Sequence, residues 1–217
     1  MVKQSLLPDR ALAIGYGPAA ARPALRTLLA LDEALGRVSR TTREPMLGRM
    51  RYAWWFEALA RLDVAPPPAE PILRALAVEV LPSGVTGASL ATMIDAWEIL
   101  SDDEATDDVS LERFAQARGG TLFDAMARVC GAGDAQARAA GEGWALIDLA
   151  SNLSDAEAAA RARAMAAGRL EAITGRRWSR EGRAIGALAL LARFETDGSE
   201  GATSRVARLL LHRLTGR

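Results

Sequence analysis

The segment 44–62, Glu44-Pro45-Met46-Leu47-Gly48-Arg49-Met50-Arg51-Tyr52-Ala53-Trp54-Trp55-Phe56-Glu57-Ala58-Leu59-Ala60-Arg61-Leu62, constrains the folding of this chain more than any other. It carries two of the five tryptophans. Pro45 suits a first helical position, where its missing N–H costs nothing. Good helix formers follow, and Asp63 with the prolines beyond it ends the run. At 100° per residue, Leu47, Tyr52, Trp54, Trp55, Phe56, Ala58, Leu59 and Leu62 share one broad arc, opposite Arg49, Glu57 and Arg61. So wide an apolar arc predicts a helix packed on several sides. Arg51 falls inside that arc.

The rest of the chain has the same character. β-branched residues are sparse and no period-2 alternation lasts, which predicts an all-α fold. A length of 217 residues suffices for one sizeable core, so residues 1–217 are expected to form a single domain. Net charge is zero, which gives no electrostatic case for nucleic acid. Lys3 is the only lysine against many arginines, as GC-rich bacterial genomes produce. The single cysteine, Cys130, excludes an internal disulfide framework and allows a reducing compartment. The first ten residues are too poor in apolar side chains for a signal peptide. The longest apolar stretch, 184–192, falls far short of the roughly 20 residues that span a bilayer. A cytoplasmic protein is expected, with peripheral attachment to the inner face of a membrane as a second option.

Helices are predicted over 19–40, the tryptophan segment, 69–80, 89–100, a long span from Asp108 or Ser110 to Val129, 135–153, a span to 173 after the capping-box spacing Ser154–Glu157, 178–194 and 202–214. Gly36, Gly48, Gly143 and Gly186 lie within them, where each costs up to ~1 kcal/mol against Ala but permits close helix contact. The last helix is Arg-rich and amphipathic, with Leu209, Leu210 and Leu211 beside Arg205, Arg208 and Arg213.

His212 is the only histidine, which nearly excludes a Ser–His–acid or multi-histidine metal site; a surface position is expected for it. Cys130 ends a helix, where the dipole raises a thiol pKa, and reads as a small buried residue. Asp103 and Asp107, in the acidic run 102–108, have i, i+4 spacing that could seat a hydrated Mg²⁺. The run lacks a helical core, and a solvated loop with capping duty is the favoured reading. Arg51 can snorkel, pair with a buried acid or receive a phosphate. A structural pair with Asp32, Glu33 or Asp95 is the first expectation, since an unpaired buried guanidinium costs several kcal/mol, on the order of.

Several stretches carry a family resemblance. Arg49 to Leu59 resembles the "IRLQWWRDAL" segment of the squalene/phytoene synthase family. Pro8-Asp9-Arg10, Pro23-Ala24-Leu25 and Ala30-Leu31-Asp32 to Val38 follow that family's N-terminal helices. Met93-Ile94-Asp95-Ala96-Trp97-Glu98 is similar to its "LIDGRE" stretch. Leu111-Glu112-Arg113-Phe114 with Gly119-Gly120-Thr121-Leu122-Phe123 is similar to its "LEAY…AGTLF" helix, and Gly143-Trp144-Ala145-Leu146 to the start of its second catalytic helix. The resemblance spans residues 8–170. It implies a single helical bundle of the isoprenoid (terpenoid) synthase type, here truncated at the C-terminus.

Family enzymes join two prenyl diphosphates, with Mg²⁺ and diphosphate held by two Asp-rich helices, because diphosphate ionises only when its charge is neutralised. The first motif falls on Gly36-Arg37-Val38-Ser39-Arg40, with Gly36 and Arg40 where aspartates belong. A register starting at Asp32 ends on Gly36. At the second motif Ser151 and Asn152 take the Arg and Asp places, with Asp148 and Asp155 nearby. The departures resemble a branch that keeps the fold without the metal sites, one that includes a mitochondrial assembly factor for respiratory complex I. They imply a non-catalytic isoprenoid-binding or assembly protein without cofactor, whose ligand or core wall includes Arg51, Trp54 and Trp55. Its partners would be a prenyl chain or prenyl diphosphate, or another protein. The alternative is an active transferase using Mg²⁺ with Asp32, Asp148 and Asp155 as its acids. A membrane-peripheral partner protein docking through the last helix is the third reading.

Overall fold

The computed structural model describes residues 8–42, 44–99, 107–197 and 201–217. Among these there is no strand. Helix α1 (Pro8–Ile14) turns through Gly15–Pro18 into α2 (Arg22–Thr41), and α3 (Pro45–Arg61) follows with Pro45 at its first position. α4 (Pro71–Ala75) is capped by Glu70, whose side chain accepts from the Leu73 N–H, and runs on into a π-helical turn over Leu76–Val80. α5 (Gly87–Ala91) and α6 (Met93–Ile99) occupy the predicted 89–100 helix; residue 100 lies outside the described residues.

α7 (Asp108–Phe114), a π-helical turn over Ala115–Gly120 and α8 (Thr121–Cys130) form the long predicted span. Its cap is Asp107 rather than Asp108 or Ser110: the Asp107 carboxylate accepts from the Ser110 N–H at 2.8 Å. α9 (Ala137–Ala150) and α10 (Ala156–Ala172) follow. The cap of α10 is Asp155, not Ser154, through a 2.9 Å bond from the Glu157 N–H. α11 (Arg183–Asp197) begins five residues later than the predicted 178. The Trp178 N–H is committed to the Gly216 carbonyl at 2.8 Å and the Ser179 N–H to Asp134 at 2.9 Å, so neither enters the helix. α12 (Ala202–Thr215) packs back onto α11.

The axis of the bundle is α9. Ala140, Gly141, Gly143, Trp144, Ala145 and Leu146 are all buried, and α8, α10, α11 and the 115–120 turn surround them. Gly141 and Gly119 face each other so closely that a Cβ on either would overlap the other's carbonyl oxygen. The tryptophan helix is placed differently from its prediction. α3 packs on α2, α5 and α6, and its buried residues are Tyr52, Trp55, Ala58 and Leu59. Met46, Leu47, Met50, Trp54 and Phe56 are exposed, Met46 by 76% and Trp54 by 46%. The broad arc is thus covered along one stripe, at the edge of the bundle. No helix among the described residues is long and apolar enough to cross a membrane.

Candidate functional site

Four charged side chains meet at the centre of the bundle. Asp32 projects from α2, Arg118 from the π-helical turn, Asp148 from α9 and Arg10 from α1. The Arg118 Nε donates to Asp32 Oδ1 at 2.7 Å and Nη2 to Asp32 Oδ2 at 2.9 Å. Its third nitrogen, Nη1, reaches Asp148 Oδ2 at 2.7 Å. Arg10 Nη2 donates to Asp148 Oδ1 at 3.0 Å, and Nη1 stands 3.6 Å from Asp32 Oδ2. Two guanidiniums thus balance two carboxylates.

Asp32 and Arg118 are almost fully buried, at 1% and 2% exposure. The aromatic rings of Trp97 and Trp144 lie 4.6 and 4.9 Å from the Arg118 guanidinium carbon, and Phe114 lies 5.6 Å away. Trp144 also stacks under Arg10 at 4.9 Å. Removing such charges from water costs several kcal/mol each, on the order of, and only good geometry with full hydrogen bonding offsets it. The bidentate fork on Asp32 and the sandwich of rings supply both. Burial works against the charged form of Arg118, but Asp148 and Asp32 outweigh it and raise the guanidinium's pKa. For Asp148, burial favours the acid form, yet Arg118 and then Arg10 hold its pKa below the ordinary value. Solvent reaches the cluster from the Asp148 side, through a cleft of about 180 Å³ lined by Asp9, Arg10, Trp144, Asp148 and Glu195. Burial, then Asp148 and Asp9, push the Glu195 pKa up.

Periodicity contains a trace of this cluster. Asp32 lies on the apolar stripe of Leu25, Leu28, Leu29 and Leu35, and Arg118 follows Leu111, Phe114 and Ala115 at helical spacing. Arg118 was not among the expected site residues; a charged residue on an apolar stripe just before Gly119-Gly120 was its signal. The residue that drew attention instead, Arg51, is exposed and donates to Thr42 Oγ1 at 2.9 Å. The expected buried pair with Asp32, Glu33 or Asp95 is corrected accordingly, because Asp32 is taken by Arg118. Arg51, Trp54 and Trp55 line an open groove of about 520 Å³ between α2 and α3, with Arg37 at its side. Trp54 and Trp55 meet edge to face at 5.2 Å.

Among the described residues no group of three or more His, Cys, Asp or Glu side chains could hold a metal ion. Asp107 is a helix cap, and Asp103 lies outside the described residues. Asp155 is exposed and occupied as the cap of α10, apart from the Asp32–Asp148 pair. His212 is not at the surface: it is buried, with Nε2 2.9 Å from the Arg183 carbonyl oxygen, and burial lowers its pKa. Cys130 is buried as expected, and burial pushes its thiol up to about 12.

The family model for squalene/phytoene synthase matches residues 8–173. The chain belongs to the squalene/phytoene synthase family. That family has the helical terpenoid synthase fold and is of the prenyl transferase type. No curated protein and no solved structure matches the chain. Gly36 and Arg40 are the residues expected at the first Asp-rich motif. Gly36 is buried under an indole: a Cβ there would stand 3.0 Å from Trp97 Cη2 and 2.9 Å from Arg40 Nη1. Arg40 is exposed and pairs with Glu33 at 2.6 Å. Ser151 and Asn152, the residues expected at the second motif, are exposed and bond back to the carbonyls of α9. Ser151 Oγ donates to the Ile147 carbonyl at 3.1 Å, and Asn152 Nδ2 to that of Asp148 at 2.7 Å.

Proposed function

We propose that this family member is a non-catalytic isoprenoid-binding or assembly protein that does not carry out Mg²⁺-dependent prenyl transfer. The observation that carries the reading is the use made of Asp32 and Asp148. Metal-assisted ionisation of a diphosphate needs carboxylates whose lone pairs are available to hydrated cations. Here Arg118 and Arg10 take those oxygens, and the Trp97 and Trp144 rings fill the space beside them. Gly36 adds to this, since an acid at that position would have to displace Trp97.

The open groove on α3 favours a holder of an isoprenoid chain over a pure scaffold. Its walls, Leu47, Met50, Trp54 and Trp55, are apolar, and Arg37 and Arg51 also line it and offer cations to a diphosphate head. The test is incubation with farnesyl or geranylgeranyl diphosphate and Mg²⁺. No pyrophosphate release is expected. Release that disappears in Asp148→Ala would overturn the reading in favour of a transferase. A rise in melting temperature with the prenyl diphosphate, lost in Trp54→Ala, is the expected sign of binding, since a ligand at 100 times its Kd stabilises by roughly 2.7 kcal/mol.

A further inference from the structure

The groove of about 520 Å³ between α2 and α3 has a regular build. On α2 it is lined from positions 34, 37, 38 and 41, and on α3 from positions 47, 50, 51, 54 and 55. Both sets follow the i, i+3, i+4, i+7 spacing of a single helix face, so the walls are two continuous ridges and not a scattered rim. At ~1.5 Å per residue each ridge is about 11 Å long, or about two helical turns. The Tyr52 hydroxyl donates to the Leu35 carbonyl at 3.3 Å and ties the two helices side by side. A trough between two such ridges is what a third helix packs into.

The surface on offer is apolar and adaptable. Met50 is exposed by 64%, with Met46 one turn before it and Trp54 one turn after. Methionine's flexible thioether stem suits a wall that receives another chain's side chains. The charge is of one sign: the ionisable residues among the described lining are Arg37 on one wall and Arg51 on the other. Arg51 donates to the neutral Thr42 hydroxyl, and neither arginine is ion-paired among the described residues. Arg40, close by on α2, is committed to Glu33 and adds nothing. The occupant that complements this seat is apolar along one stripe and acidic beside it. A bilayer surface is flat and leaves a groove of this kind empty. A second copy fits poorly as well. The other helix with a run of exposed apolar residues is α12, through Val206, Leu210 and Leu214, and it carries Arg205, Arg208 and Arg213 without an acid. Like charges across an interface oppose docking.

We propose that the groove receives an amphipathic helix of a protein partner, with its apolar stripe between the two ridges and acidic residues on its flanks facing Arg37 and Arg51. This inference rests on the assembly side of the function proposed above and supplies the chemistry of the partner. The apolar contacts against Leu47, Met50 and Trp54 give affinity, read by the partner as i, i+3, i+4 and i+7 anchors. The two arginines, one on each wall, set which flank charge is accepted. Helix and isoprenoid chain share the Trp54 wall, so the two exclude each other.

The test is fluorescence anisotropy of the full chain with a labelled, stapled helical peptide that carries leucines at i, i+3, i+4 and i+7 and glutamates on both flanks. A peptide with lysines in place of the glutamates is the counterpart. Saturable binding of the acidic peptide is expected, with the lysine peptide weaker by about tenfold or more and the difference shrinking as salt is added. Arg37→Glu combined with Arg51→Glu should invert that preference with far-UV circular dichroism unchanged. Should the double variant fail to fold, Arg37→Glu alone carries the test, with a loss of about threefold or more for the acidic peptide. Met50→Asp, at an exposed position, should weaken both peptides by about tenfold or more, because docking would bury its charge. Farnesyl diphosphate that raises the melting temperature should also displace the peptide. Peptide binding without any effect of farnesyl diphosphate on the melting temperature leaves the helix seat in place and removes the isoprenoid reading. A melting-temperature rise without peptide binding does the reverse. Equal affinity for the two peptides, or an unchanged preference in the charge-reversed variant, would overturn the proposal. So would a dimer in sedimentation velocity, or co-sedimentation with phosphatidylglycerol vesicles, that Met50→Asp abolishes, since a second copy or a bilayer would then cover this face.

Discussion

Helices α3 and α9 invert the usual relation between aromatic content and centrality. α3 carries two tryptophans, a tyrosine and a phenylalanine, yet it lies at the edge and leaves Met46, Met50, Trp54 and Phe56 exposed. Half of α9 is alanine and glycine around one tryptophan, and neighbours enclose most of its length. Interior packing is dense, so the position at the centre goes to the helix whose small side chains let several others approach. Large aromatics on an edge helix instead build a surface with shape, here the groove against α2. The charged residues on the two helices follow the same division. Asp148 on α9 is locked between two arginines, and the exposed Arg51 on α3 donates to Thr42.

Paired substitutions would break or sharpen this contrast. The largest effect is expected at the centre: Arg118→Ala strips buried Asp32 of its bidentate partner, leaving only the longer 3.6 Å approach of Arg10 among the described residues, and should cost about 3–5 kcal/mol in urea denaturation. Arg51→Ala on α3 should stay within about 0.5 kcal/mol of the parent. Next, Trp144→Ala opens a cavity beneath Arg10 and Arg118 and should cost about 3 kcal/mol. Trp54→Ala, already half exposed, should cost about 1 kcal/mol or less by the same assay. Glycines give a smaller and opposite pair. Gly141→Ala forces a Cβ into the Gly119 carbonyl and should destabilise by about 1–3 kcal/mol. At Gly48 the nearest neighbour of an added Cβ is Thr42 Cγ2 at 3.8 Å, so Gly48→Ala should stabilise by up to about 1 kcal/mol.

The smallest effect lies outside both helices, at His212 on α12. Burial lowers its pKa below the ordinary 6.5, so the unfolded chain takes up a proton first. Its contribution is complete above that value and is lost as pH falls through the depressed native pKa. The urea midpoint should therefore drop between about pH 7.5 and about pH 5.5, and less steeply in His212→Gln.

Much of the helical framework was legible from spacing and punctuation. Pro45, the helix end near Val129 and the restart near residue 156 all fall where local rules put them, because these depend on nearby backbone groups. Local spacing includes Trp178 in a helix that starts only at Arg183, because the Trp178 N–H bonds to Gly216, a partner far away in the chain. The same holds for the site. That Asp32 sits on an apolar stripe is visible in α2, but its partner is 86 residues distant, and no local pattern joins them. Arg51 stood out because it interrupts an apolar arc, and periodicity does not reveal whether that arc is covered. The motif pattern around Gly36 likewise carries no sign that the indole of Trp97 fills the space beside it.

The carboxylates on α2 and α9 are committed to internal ion pairs. A double-mutant cycle on Arg118→Met and Asp32→Leu measures that commitment most directly. Each single change should be strongly destabilising and the double variant much less so than their sum, with a coupling near the upper end of the ~0.5–3 kcal/mol range seen for contacting residues. A coupling within about 0.5 kcal/mol of zero would contradict the account, because Asp32 would then be free of Arg118.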